Sequence, residues 1–335
     1  DIDMLQTLED KSQLKELTMK AHNFFADIKK QKIPFIAAIN GACLGGGLEW
    51  ALYCDYRIAT TSSKTVLGLP EVKLGLLPGM GGTYHLPRLV GLPAALDMIL
   101  TGKNIKPAKA KKMGLVDLVV DEAMLEKAAI QQALGMAAGT VKSHQRKDKM
   151  GKLMEMIPPA RNFIFKKAKE QVDKSTGGKY PAPYAILDVL SHTYGMSNME
   201  AFKYESEKFA ELAATSESAA LIGIFKGMTA VKKHDFGEPA HKVKNVAVLG
   251  AGLMGSGIAQ VSADQGKYRV LLKDKDAVSV GRGEKAIDDA MKAKLKKKRI
   301  TNASYCALNS RIIGLHDDHT HWKKHFSQAD MVSIA

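Results

Sequence analysis

The stretch NGACLGGGLEWALYCDYRIATTSSKTVLGLPEVKLGLLPGMGGT, residues 40–83, sets the triplet Gly45, Gly46 and Gly47 just ahead of Glu49. It then returns a second carboxylate, Glu71, on a loop rich in glycine and proline. Glycines at a helix start let the backbone approach a ligand. The free N–H groups there, with the positive end of the helix dipole, can take up negative charge growing on an oxygen. Gly46 is the amide this pattern favours as donor. Glu49 follows about one helical turn on, and Glu71 sits in GLPEV, where Pro70 restrains the chain and Gly68 leaves room. Two carboxylates beside one oxyanion site suit general base and general acid work on a water and a carbon. The same spacing also suits a glycine turn that only packs a helix against a strand, with Glu49 exposed. Spacing alone leaves both readings standing.

A second chemical stretch is NVAVLGAGLMGSGIAQ, followed by YRVLLKD. Gly250, Gly252 and Gly255 fit GxGxxG, and Asp274 closes the next strand-like run. A strand, a glycine turn, a helix, and a second strand ending in an acid describe a dinucleotide site. The glycines admit the pyrophosphate to the helix start, and Asp274 accepts from the adenosine ribose hydroxyls. That acid favours NAD over NADP, while the flanking Lys273 and Lys275 pull the other way. A Rossmann-like turn that binds nothing is the alternative. HDDHTHWKKH, residues 316–325, holds four histidines and two aspartates. It shows no i, i+4 ligand pair on a scaffold, so it is expected to be a polar loop, and no metal site is expected.

The positioning elements follow from periodicity. Residues 4–29 place Leu14, Leu17, Ala21 and Phe25 at helical spacing, and IPFIAAIN, ended by Asn-Gly, predicts a buried strand over 33–40. The spacing predicts a helix from the glycines to about Cys54, a strand over 56–61 and a helix from 92 stopped by Gly102. IKPAKAKKMGLVDLVV adds a short helix and a strand, and helices are expected over 124–233, broken at TGGKYPAPY. This alternation followed by a helical tail argues for an α/β domain. The composition changes at KKHDFGEPAHKVK, which reads as a linker.

The chain has 335 residues, enough for about two domains, and no apolar run of membrane-spanning length. Its three cysteines, Cys43, Cys54 and Cys306, lack metal spacing and are expected to be free thiols in a reducing compartment. The net charge of +14 carries no nucleic-acid fingerprint, and no nucleic-acid partner is expected. Much of the excess lies in residues 141–152 and 292–299. These runs read as solvated helix faces, or as attraction for a phosphorylated substrate or an anionic membrane.

AAINGACLGGGLEWALYCDYRIA, GLPEVKLGLLPGMGGTYHLPRLVG and LTGKNIKPAKAKKMGLVD resemble the crotonase (enoyl-CoA hydratase/isomerase) superfamily over nearly all of residues 1–130. The resemblance implies an oxyanion amide at Gly46 and the two hydratase glutamates at Glu49 and Glu71, whose joint presence favours hydration over isomerisation. It also implies that the Gly79 amide lies near the attacking water. Tyr84 and His85 stand where the family more usually has Gln-Arg, with His85 expected to pack rather than catalyse, and Trp50 is bulky for its place. The family's other oxyanion amide and its early strands precede the point where DIDML opens this chain.

KYPAP, ESEKFAELAATSESAALIGIF and VKNVAVLGAGLMGSGIAQVSADQG extend the resemblance to multifunctional fatty-acid β-oxidation enzymes, nearest to the mitochondrial trifunctional type. The implied fold is α/β. An incomplete crotonase-like domain with a helical tail spans 1–232, a linker 233–243, and the first part of a Rossmann-type NAD-binding domain 244–335. The implied chemistry is hydration of 2-enoyl-CoA, a coenzyme A thioester, coupled to NAD-dependent oxidation of the product. A thiolase beta subunit, the inner mitochondrial membrane and a mitochondrial location are implied as well. The family's dehydrogenase His–Glu pair lies beyond the stretch resembling QADMV. The expectation is therefore a chain cut at both ends, and a non-catalytic product keeping only nucleotide or partner contacts is the alternative.

Overall fold

The computed structural model describes residues 11–142, 146, 148–231, 237 and 241–335. Most of the expected linker, and residues 4–10 of the expected first helix, lie outside them. The chain divides into two compact units, Asp1–Lys233 and His234–Ala335.

In the first unit a helix, Lys11–Lys29, leads into strand β1, Ile36–Ile39. The Asn40–Gly41 step does not pass straight to a helix, as the sequence suggests. It enters a short strand β2, Ala42–Leu44, and only then the helix Gly46–Tyr53. Strands β3, Tyr56–Thr60, and β4, Val66–Gly68, follow, and β5, Leu118–Val120, completes the set. β1, β3 and β5 form one parallel sheet, and β2 pairs in parallel with β4, Ala42 opposite Val66 and Leu44 opposite Gly68. That second pairing brings the glycine triplet beside the Glu71 loop, and the Gly45 N–H donates to the Gly68 carbonyl at 3.0 Å.

Between β4 and β5 run the 3-10 turn Glu71–Leu74 and the helices Gly82–Val90, Leu92–Thr101 and Pro107–Met113. Gly102 stops the second of these in the left-handed conformation, φ 56°, which glycine adopts without strain. Arg57 and Asp117, both buried, tie the sheet internally, with Arg57 Nη2 3.0 Å from Asp117 Oδ2. The helical region comprises Leu125–Ala137, Lys149–Met156, Pro158–Thr176, Pro181–His192, Asn198–Ala213 and Ser216–Ala230. Helix Asn198–Ala213 opens with a Ser197/Glu200 capping box and packs on helix Lys11–Lys29.

The second unit is a parallel sheet of β6, Asn245–Leu249; β7, Arg269–Lys273; β8, Ile312–Leu315; and β9, Met331–Ile334. Helices Leu253–Asp264, Ala277–Lys296 and Asn302–Asn309 connect the first three strands. The strand order is β8-β7-β6-β9, so the winding reverses at β6. This is the doubly wound order whose ligand crevice lies at the reversal. Val246, Val248, Val270 and Leu272 pack on one face, and Ala247, Leu271 and Leu315 on the other. Residues 316–325 are not wholly a loop. Trp322–Phe326 forms a helix because Trp322 and Phe326 bury against that second face. Among the described residues no His, Cys, Asp and Glu cluster could hold a metal, and no helix is long and apolar enough to cross a membrane.

Candidate active site and nucleotide site

Gly45 takes φ 57° and ψ −134° ahead of the helix Gly46–Tyr53. The Gly46 amide is thus the first of that helix, with no backbone acceptor among the described residues. A Cβ on Gly46 would strike the Met80 side chain, and one on Gly45 would lie 3.2 Å from Glu71 Oε1. Gly45, Gly46, the Glu71 turn and Met80 therefore meet at one point. They line a cavity of about 820 Å³ together with Glu49 and an apolar wall that includes Phe24, Phe25 and Phe209.

Glu49 is 2% exposed. Its Oε1 accepts the amides of Met80 and Gly82, both at 2.8 Å. Burial, then the charges of Glu71 and Glu205, push its proton affinity well above the usual carboxylate range, against those two amide bonds. Both oxygens of Glu71 are buried without a hydrogen-bond partner. Burial raises Glu71 to about 7, its own backbone amide opposing and Glu205 adding. Two carboxyls in one dry site cannot both ionise cheaply, so they titrate as a pair. The two amides on Glu49 Oε1 work toward an anion there, and burial with the neighbouring charges outweighs them.

Gly79 packs tightly on Phe209, since a Cβ there would fall 2.7 Å from the ring. His85 is half-buried in an edge contact with Tyr53, centroids 4.3 Å apart, and desolvation with nearby positive charge lowers it to about 3. It is a neutral packing residue. Trp50 stacks at a tilt on Phe25, centroids 4.8 Å apart. Sequence reasoning missed Glu205 and His22, which come from helices far away in the chain. Glu205 is fully buried and accepts from Gly81 and Thr83, and His22 Nε2 sits 3.3 Å from its Oε1. The buried face of helix Asn198–Ala213 was the one available signal, a glutamate placed in an apolar stripe.

In the second unit Gly250 sits at φ 98°, and its N–H donates to the Lys273 carbonyl at 2.7 Å. Gly255 is buried beneath it, and a Cβ there would collide with the Gly250 carbonyl oxygen. Gly252 caps the following helix with open space beside it. Asp274 directly follows β7, and its oxygens accept the Ala251 amide at 2.8 Å and the Lys275 amide at 2.7 Å. These two amides hold its carboxyl below the usual range, so it is an anion with lone pairs left for hydroxyl donors. A cavity of about 520 Å³ runs past Gly252, Ser256 and Asp274. Lys273 is 6% exposed, pairs with Asp317 and lies 4.5 Å from the Trp322 ring centre, so its charge is already committed within the protein.

Residues 2–172 match the family described as enoyl-CoA hydratase/isomerase, more than half of the chain. The chain belongs to the enoyl-CoA hydratase/isomerase family. Residues 245–333 match the 3-hydroxyacyl-CoA dehydrogenase, NAD binding domain. Curated relatives include the fatty acid oxidation complex subunit alpha of Shewanella loihica, 46% identical over 276 residues, or 82% of this chain and 39% of that protein. The same subunit of Shewanella amazonensis is 45% identical over the same shares. The chain thus spans 39% of the length of these relatives. Among solved structures it is similar to an enoyl-CoA hydratase from Bacillus anthracis, 26% identical over 67% of this chain and 70% of that one, with a TM-score of 0.37.

The expected fold class holds: a crotonase-like α/β domain is followed by the beginning of a Rossmann-type domain. NAD and a coenzyme A thioester are the ligands of the two families matched. The mitochondrial location does not hold, because the relatives are bacterial. The blocks that carried that inference form helices and a strand–glycine turn–helix, elements set by packing and backbone geometry. They hold no information on compartment.

Proposed function

We propose that the first unit, within residues 1–232, adds water to 2-enoyl-CoA to give 3-hydroxyacyl-CoA. The second, residues 244–335, binds NAD for oxidation of that product. The observation that carries this reading is a pair of buried carboxyls with raised proton affinity, lining one apolar cavity at the start of the helix that Gly46 opens.

The thioester carbonyl oxygen accepts from the Gly46 amide, which draws electrons from the conjugated alkene. Glu49 takes a proton from water as the water oxygen bonds to C3, and the alkene electrons move onto the thioester oxygen. The enolate then collapses as Glu71 gives its proton to C2. Glu71, at about 7, is a competent donor near neutrality. Replacing either glutamate with Gln should lower kcat for hydration by about 10²-fold or more. Loss of the enoyl thioester absorbance measures this, and near wild-type rates in both variants would overturn the assignment.

The residues of the second unit fit a dinucleotide. The open side of Gly252 and the amides of the helix start face the pyrophosphate position, and Asp274 accepts from the ribose. When bound, NAD supplies the hydride acceptor. Oxidising 3-hydroxyacyl-CoA yields the 3-ketoacyl thioester that thiolases cleave, and the relatives are named as subunits of a complex. A thiolase subunit is therefore the partner we infer. An anionic membrane surface is a second, supported by the +14 charge and by exposed Met150, Met156 and Phe163 near Lys152 and Lys166.

A further inference from the structure

The turn over residues 80–83 deals its amides alternately to two carboxylates. Met80 and Gly82 donate to Glu49, and Gly81 and Thr83 donate to Glu205, at 2.7 and 3.2 Å. The Thr83 hydroxyl also donates to Glu205. Alternation of this kind needs the chain to reverse its amide direction at each step, and Gly81 supplies it at φ 92°. A side chain at Gly81 would also meet the Tyr53 hydroxyl at 2.7 Å.

Glu205 is an expensive group to bury. It is fully inaccessible, with three hydrogen bonds from the turn and His22 Nε2 3.3 Å away as its only nearby basic group among the described residues. His22 is itself fixed, stacked on Phe202 at 4.1 Å and joined through Nδ1 to the Tyr53 hydroxyl at 3.1 Å. Breaking any bond to such a group leaves a buried charge uncompensated, so its bonds constrain the groups that make them. Here they hold the turn whose other two amides grip Glu49 Oε1.

We propose that Glu205 is a positioning residue for the hydration reaction, fixing the residue 80–83 turn so that Glu49 is held by one oxygen and offers the other to water in the cavity. This rests on the reading of Glu49 as the base. The titratable groups facing Glu205 from the packed elements are His22, Tyr53, Glu49 and Glu71, with neutral His85 nearby. Lys15 is turned outward to Glu207. The Glu205 charge raises both active-site carboxyls, so removing it lowers both.

The test uses the protein at its full natural length, with crotonyl-CoA as substrate. Glu205→Gln keeps the shape but turns an NH2 group toward amide donors, loosening the turn. The expected result is a kcat at least 10-fold lower with KM within twofold, and both limbs of the pH profile displaced to lower pH. Thr83→Val removes one bond to Glu205 and leaves the amides, and should give a smaller kcat loss, about threefold, with KM unchanged. It decides the matter if Glu205→Gln does not fold. Unchanged kcat, or a loss with fixed pH limbs and a raised KM, overturns the proposal. Glu49→Gln run alongside separates the two readings. If it is inactive while Glu205→Gln is wild-type, only the role of Glu205 falls; if it is active, both fall.

Discussion

In the proposed mechanism, a carboxyl kept protonated for catalysis works against the fold that holds it. Glu71 has an ordinary value of 4.5 and is raised to about 7. Below its unfolded value it is protonated in both states and costs nothing. As pH rises through the unfolded value the unfolded chain ionises while the site keeps its proton, so the cost grows until the folded value is passed. At about 1.4 kcal/mol per unit the cost above pH 7 is on the order of 3 kcal/mol. Glu71→Gln should therefore raise the melting temperature at pH 8 by several degrees and leave it unchanged at pH 4. A gain of equal size at both pH values would remove the cause assigned here. The glutamates and Asp274 were legible because each sits in a short run whose covalent spacing dictates its neighbours. Glu205 and His22 were not, because only the packing of helices Lys11–Lys29 and Asn198–Ala213 brings them to the 80–83 turn. Their types, a glutamate and a histidine on helix faces, read as ordinary surface residues until the burial is known.

Among the elements, the turn from β6 into helix Leu253–Asp264 is the most constrained. The helix start lies against the Gly250 carbonyl with no room for a Cβ on Gly255. Gly255→Ala should push the helix off the strand, weaken NAD binding at least 10-fold by calorimetry and destabilise the unit by about 1–3 kcal/mol. Retained affinity with a normal melt would show that the close approach is not needed. The strand–turn–helix pattern was plain in the sequence because buried parallel strands read as short apolar runs between glycines. Strand β2 was hidden. Its three residues are too few for a periodic signal, and its partner β4 lies across two turns of chain. The Trp322–Phe326 helix was masked by its histidines and lysines, although the aromatic residues at its two ends face the sheet.

At the scale of the whole molecule, the excess positive charge is partly committed. Lys292 and Lys294 pair with Asp288 and Asp264, which commits two of the six basic residues in the run over 292–299. In the run that includes Lys152, Arg146 pairs with Asp148 and Glu155. That run leads through helix Lys149–Met156 into helix Pro158–Thr176, and along these two Lys166 is exposed and Met150, Leu153, Met154, Met156, Ile157 and Phe163 stand in solvent. Large apolar side chains interspersed with lysines suit a lipid headgroup boundary, where the first bury and the second meet anionic charge. Each lysine near such a surface is worth about 1 kcal/mol, and screening removes that attraction as salt rises. The protein should therefore sediment with phosphatidylserine-containing vesicles at low salt, release at high salt and ignore neutral phosphatidylcholine vesicles. Lys152→Glu with Lys166→Glu should lower the bound fraction several-fold without changing hydration, because neither lysine lines the cavity. Equal binding to neutral vesicles, or binding indifferent to salt and to both substitutions, would assign the exposed apolar residues to a protein partner instead.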